Sequence, residues 1–181
     1  MRILPYVSRF AEFRAYDPQA AALARFLSSA IRQVEPGLQV EHVGSTSVPG
    51  CCGKGIIDLM VLYPEGWLSR ASGALDDLGF QKQGGPEPFP ESRPMRVGCV
   101  EHDGRSFQIH AHVIALDAEE SRELIWFREA LRASPELCCR YEERKRAILG
   151  MGIVDSIEYC KAKGGFITGL LSRKDAFAVS P

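Results

Sequence analysis

Two apolar strands joined through a hydroxyl-rich turn constrain this chain more than any other feature. Glu41-His42-Val43-Gly44-Ser45-Thr46-Ser47-Val48-Pro49-Gly50 ends the first, and Gly55-Ile56-Ile57-Asp58-Leu59-Met60-Val61-Leu62 forms the second. The second stretch is almost wholly apolar, which predicts a central strand covered on both faces. Asp58 alone interrupts it. A carboxylate there is costly unless it is paired, hydrogen-bonded or metal-bound. A turn rich in hydroxyls and free backbone N–H groups suits a phosphate. Together they point to a phosphate and metal site, with Gly44, Ser45, Thr46 and Ser47 as the cradle. The same hydroxyls have a plainer use, as caps of the turn before Val48-Pro49.

The remaining elements follow from periodicity and breakers. Asp17-Pro18 opens a helix whose apolar positions run to Val34, and Pro36-Gly37 stops it. Leu38 to Val43 and Ile56 to Tyr63 are strands. Pro64 is expected to begin a helix ending at Gly79, followed by a short strand over Phe80 to Gln83. Four prolines between Gly84 and Pro94 exclude a regular element, and a loop of that length is often a lid. Met95 to Val100 and Ser106 to Leu116 are strands turned at His102-Asp103-Gly104. Helices follow over Glu119 to Ala133, from Ser134-Pro135 to Leu149, and from Asp155 to Ser172, with a tail from Lys174 expected to fray. Strands in the middle and helices at both ends predict an α/β (α+β) fold, a small mixed β-sheet flanked by helices.

At 181 residues, the sequence reads as a single domain, 1–181. A net charge of −1 argues against binding nucleic acid through bulk charge, though a local basic pocket is compatible with it. No stretch has the apolar length of a membrane span, and the N-terminus lacks a signal-peptide pattern. The six cysteines include two vicinal pairs and no C-x-x-C, matching no usual zinc spacing. Free thiols in a reducing cytoplasm are the expectation.

Strand alternation gives His110 and His112 one shared face, about 7 Å apart along the chain. If both strands flank that of Asp58, then Asp58, His112 and His42 converge. One carboxylate with two imidazoles suits Zn²⁺ or Mn²⁺ better than Mg²⁺, or forms an acid–base pair oriented by Asp58.

Along the chain stand His42 to Gly50, Lys54, Ile56-Ile57-Asp58, His110-Ala111-His112-Val113, Phe127 to Arg132, Pro135-Glu136, Tyr141, Lys145, Tyr159-Cys160-Lys161 and Phe166-Ile167. On these residues the chain resembles the GrpB family of the nucleotidyltransferase-like superfamily. The resemblance implies a Gly-Ser turn that holds phosphate, with Asp58 as the first metal carboxylate. It adds Lys54, Arg128, Tyr141, Lys145 and Lys161 as candidate ligand-binding residues. The implied cofactor is a divalent metal, Mg²⁺ or Mn²⁺ or, with the histidines, Zn²⁺ at Asp58, His112 and His110. Active members of the superfamily usually carry a second acid two residues after the first, where this chain has Met60, which cannot ligate Mg²⁺. The implied function is a nucleotidyltransferase-like domain binding a phosphorylated, nucleotide-like ligand, with metal-dependent transfer left open and Asp58, His112 and His42 as its catalytic candidates. The alternative is a non-catalytic binding or folding-accessory module, as in GrpB-like segments fused to dephospho-CoA kinase. A His/Asp metal-dependent hydrolase is a third. The expected partner is a nucleotide or other phosphorylated small molecule, with a protein acceptor or client also open.

Overall fold

Asp17 accepts the Gln19 N–H at 3.0 Å and opens α1 (Gln19–Val34), which buries Leu23, Leu27 and Ile31 along one stripe. This is the computed structural model of the chain, and it describes residues 2–174. The expectation of a frayed tail falls largely outside those residues. After α1 come β1 (Gln39–Val43), a single 3₁₀ turn over Ser45–Ser47, and β2 (Ile57–Tyr63). Next are α2 (Leu68–Asp77), β3 (Gln81–Lys82), β4 (Met95–His102) and β5 (Arg105–Ala115). Three helices close the chain: α3 (Glu119–Ala133), α4 (Pro135–Gly150) and α5 (Ser156–Leu171). The mixed α/β architecture agrees with the sequence.

The largest differences from expectation are at the start of α2 and at the β4–β5 turn. Residues from Pro64 to Trp67 form a turn, because Gly66 takes a left-handed φ of +78°, so α2 starts only at Leu68. The β4–β5 hairpin is tighter than expected. Asp103 and Gly104 both have positive φ, 49° and 69°, which suits a two-residue turn that preserves strand twist.

The five strands form one sheet in the order β1-β2-β5-β4-β3. β2 runs antiparallel to β1 and parallel to β5. Its central place explains its apolar sequence. One face carries Ile57, Leu59, Val61, Ile109, Ala111 and Val113, packed against α1 and against Ala71, Ala74 and Leu75 of α2. On the other face Val43, Met60, Leu62 and Ile114 pack with Leu124 and Ile125 of α3. Asp58, His110 and His112 share that second face, since residues paired across strands point the same way. Helices α4 and α5 join through Tyr141 and Phe166, stacked with ring centroids 5.5 Å apart. The N-terminal segment lies across the sheet, pairing Leu4 with Cys99 and Arg14 with Gly53. No helix among the described residues is long and apolar enough to cross a membrane.

Candidate functional site

Register alone brings three side chains together. Asp58 pairs with His110, and Met60 with His112, so both histidines project beside the carboxylate. His110 Nδ1 lies 3.6 Å and His112 Nε2 3.8 Å from Asp58 Oδ1. One ligand atom from each residue lies within 4.8 Å of the others, a spacing that admits a single cation. One oxygen and two imidazole nitrogens match a borderline divalent ion, not a hard Mg²⁺ pair. Burial pushes the Asp58 pKa up, but the adjacent His112 and His110 rings and the charge of Lys163 outweigh it and hold the carboxyl at about 2. Burial lowers the His110 pKa to about 4 against the pull of Asp58. At neutral pH an ionised carboxylate therefore faces a neutral imidazole, the protonation states that metal ligands need.

The turn is fastened beside this carboxylate. Gly44 has φ +71°, and a Cβ there would collide with Asp58 Oδ2. Ser45 is fitted as closely, since a Cβ on Gly53 would collide with its Oγ and stand 3.4 Å from Lys145 Nζ. Lys145 is 2% exposed and donates to the Cys52 carbonyl, with its ammonium 4.2 Å from the Tyr141 ring centroid. Lys54 donates to Ser156 Oγ at 2.9 Å and lies 5.3 Å from the Tyr159 ring centroid. Burial lowers the pKa of both Lys54 and Lys145. The Tyr141 phenol raises that of Lys163 against burial, with Cys160, Asp58 and Tyr159 adding to the rise. Two of these three ammoniums, those of Lys54 and Lys163, interact electrostatically with Asp58.

Other candidates are spent elsewhere. His42 pairs with Leu59 and so lies on the opposite face from Asp58, contrary to the expected convergence. Strand alternation separates them: Val43, not His42, is the partner of Asp58. His42 Nε2 stands 3.0 Å from Thr46 Oγ1, which donates to the Ile56 carbonyl at 2.9 Å. Thr46 has one proton and has spent it, so Nε2–H of His42 is the donor. Ser47 Oγ donates to the Gly44 carbonyl at 2.6 Å. Thr46 and Ser47 thus brace the turn, and Ser45 is the hydroxyl turned toward Gly53 and Lys145. Arg128 donates to Glu41 at 2.7 Å and to the His42 carbonyl at 2.9 Å, tying α3 to β1. Tyr141 is packed against Phe127 and Phe166. Lys161 is exposed and pairs with Glu87 at 3.0 Å and Glu158 at 3.5 Å.

Lys163, Tyr6 and Arg93 escaped the sequence reading. Lys163 follows buried Tyr159 by four residues and so shares its inward face, a signal that separates it from Lys161. Tyr6 OH lies 2.9 Å from His110 Nε2 and Arg93 Nη1 3.1 Å from His112 Nδ1, contacts between distant segments that no spacing announces. Arg93 ends the proline-rich loop, whose Phe89 sets its ring edge-on to His112 at 5.7 Å between centroids. A second donor group, Cys51, Cys138 and Glu142, lies under the turn. Burial raises both thiol pKa values, that of Cys138 to about 12, and Lys145 Nζ stands 3.6 Å from Cys51 Sγ. Neutral thiols beside a fixed ammonium do not suit a cation.

The family model described as GrpB protein matches residues 11–173. The chain belongs to the GrpB family. A UPF0157 protein of Pseudomonas aeruginosa is 34% identical over 160 residues, covering 88% of this chain and 64% of that relative. The chain thus spans just under two thirds of that relative's length. A UPF0157 protein of Streptomyces coelicolor is 32% identical over 142 residues, covering 77% of this chain and 70% of the relative. Among solved structures, GrpB of Enterococcus faecalis superposes with a TM-score of 0.70 at 22% identity, over 90% of this chain and 96% of that one. Cid1, described as having RNA terminal uridylyl transferase activity, superposes at 0.51 and 17% identity over 74% of this chain and 41% of its own. These likenesses establish a nucleotidyltransferase-like fold.

Proposed function

We propose that this GrpB-family chain binds a phosphorylated, nucleotide-like ligand together with one divalent cation. The observation that carries the reading is the convergence of Asp58, His110 and His112 beside the Gly44-Ser45 turn, with Lys54 and Lys163 in electrostatic interaction with Asp58. Asp58, His110 and His112 would hold the cation, which would supply Lewis-acid neutralisation of phosphate charge. Ser45 and nearby backbone N–H groups would orient phosphate oxygens. Lys54, Lys145 and Lys163 are partly or fully buried ammoniums that gain by meeting an anion. A phosphate at this turn needs no catalytic residue to be held.

Two-metal nucleotidyl transfer fits these residues poorly. The position where active members of the superfamily carry a second acid is Met60, 0% exposed among Val43, Leu62 and Ile114. Strand β5, where a third acid would sit, offers His110 and His112 and no carboxylate. Two bridging metals need more oxygen ligands than Asp58 supplies. Binding is therefore expected without brisk turnover. The test is calorimetric titration with nucleoside triphosphates in Mn²⁺, Zn²⁺ or Mg²⁺, run beside an assay for released pyrophosphate. Binding that requires Mn²⁺ or Zn²⁺ supports the reading. Rapid Mg²⁺-dependent pyrophosphate release replaces it with an active transferase.

A further inference from the structure

The two histidines beside Asp58 are not equivalent, and the difference lies in what touches the far nitrogen of each ring. A ligating histidine gives its second N–H to an acceptor, which fixes the ring with its lone pair toward the metal. His110 can satisfy this condition. Its Nε2 lies 2.9 Å from Tyr6 OH, and a phenol oxygen can accept. His112 does not. Its Nδ1 lies 3.1 Å from Arg93 Nη1, and a guanidinium has only donors and keeps its proton. Nδ1 of His112 must then be the bare nitrogen and Nε2 the protonated one. That N–H is aimed at Asp58 Oδ1, 3.8 Å away. In this arrangement His112 presents a hydrogen, not a lone pair, to the space a cation would enter.

We propose that Arg93 is a positioning residue that holds His112 in the Nε2–H tautomer, so that Arg93 and a divalent cation compete for His112. The inference rests on the cation site proposed at Asp58, His110 and His112. Recruiting His112 requires the proton to move from Nε2 to Nδ1 while the ring stays neutral. An Nδ1–H would point at the Arg93 donor, so the guanidinium must withdraw. Arg93 is tethered for such a movement. It ends the proline-rich loop, donates to Glu120 at 2.9 Å and lies over the Phe89 ring at 4.7 Å. Withdrawn from His112, its free Nη1 becomes a donor for a phosphate oxygen brought in with the cation. The site thus favours a cation that arrives with an anion over a bare cation.

The probe is Co²⁺ alone, titrated into the full chain and followed by its visible absorption. Arg93→Met removes the opposing donor and is expected to tighten Co²⁺ binding about tenfold, the scale on which outer contacts tune metal affinity. Equal affinity in the two proteins overturns the role of Arg93 and leaves the cation site standing. No Co²⁺ binding by either protein, with or without pyrophosphate, overturns the cation site and this inference together. A second readout does not depend on the variant's folding. The long-range ¹H–¹⁵N spectrum of metal-free wild-type protein is expected to show His112 as the Nε2–H tautomer. An Nδ1–H tautomer there overturns the proposal.

Discussion

Gly44 faces Asp58 so closely that a Cβ at position 44 would overlap the carboxylate and lie 3.1 Å from both its carbon and the Asp58 Cβ. The Gly44-Ser45 turn and the Asp58 carboxylate are therefore packed as one unit. The left-handed φ of +71° at Gly44 swings the chain across the mouth of β2, and the missing side chain leaves room for Asp58. Gly44→Ala is expected to cost about 1–3 kcal/mol of stability through backbone strain alone. It should also weaken phosphate-ligand binding by displacing Asp58. Urea unfolding and ligand titration of the same variant check both, and an unchanged unfolding midpoint contradicts the packing described.

Lys163 and Lys161 separate the two sides of α5. Lys163→Met is expected to weaken binding of a nucleoside triphosphate by about 1–3 kcal/mol, the worth of a charged hydrogen bond. Lys161→Met removes only exposed pairs with Glu87 and Glu158 and should leave affinity unchanged. The reverse order of effects would place the ligand on the outer side of the helix.

His42 makes a pH prediction independent of any ligand. Burial lowers its pKa to about 4 from 6.5, against the opposing pull of Asp58. The folded state refuses a proton that the unfolded chain accepts. Its contribution is fully present above pH 6.5 and is lost as pH falls toward 4. His110 acts with the same sign over the same window. Asp58, held down to about 2, adds a further loss only below the unfolded carboxylate value of 3.8. Urea midpoints should therefore fall between pH 7 and pH 4, and His42→Gln should shallow that slope without abolishing it. An identical slope in wild type and variant contradicts a buried neutral His42.

Much of this architecture was legible in the sequence because its signals are local. The helix over Gln19–Val34 follows from its apolar stripe, the central place of β2 from its unbroken apolar run, and the turn from Gly44. The meeting of Asp58 with His110 and His112 was legible as a possibility, since two-residue alternation fixed which side chains share a face. Strand pairing decided the rest. A register with Val43 opposite Asp58 puts His42 behind the sheet, and no property of β1 read alone sets that register. Thr46 and Ser47 looked like ligands because hydroxyls serve turns and phosphates equally well. Tyr6 and Arg93 reach the histidines across 104 and 19 residues, contacts that only the folded chain creates.

Calorimetry on Asp58→Asn decides whether Asp58 anchors one cation through which a phosphorylated ligand is held. Wild-type protein and the variant would each be titrated with a nucleoside triphosphate, with Mn²⁺ present and then with chelator in its place. Asparagine keeps the size and loses the charge, so the variant should remain folded, as circular dichroism would verify. The expected result is binding by wild type in Mn²⁺, lost with chelator and lost in Asp58→Asn. Equal binding by the folded variant, or binding by wild type that ignores the metal, would contradict the account.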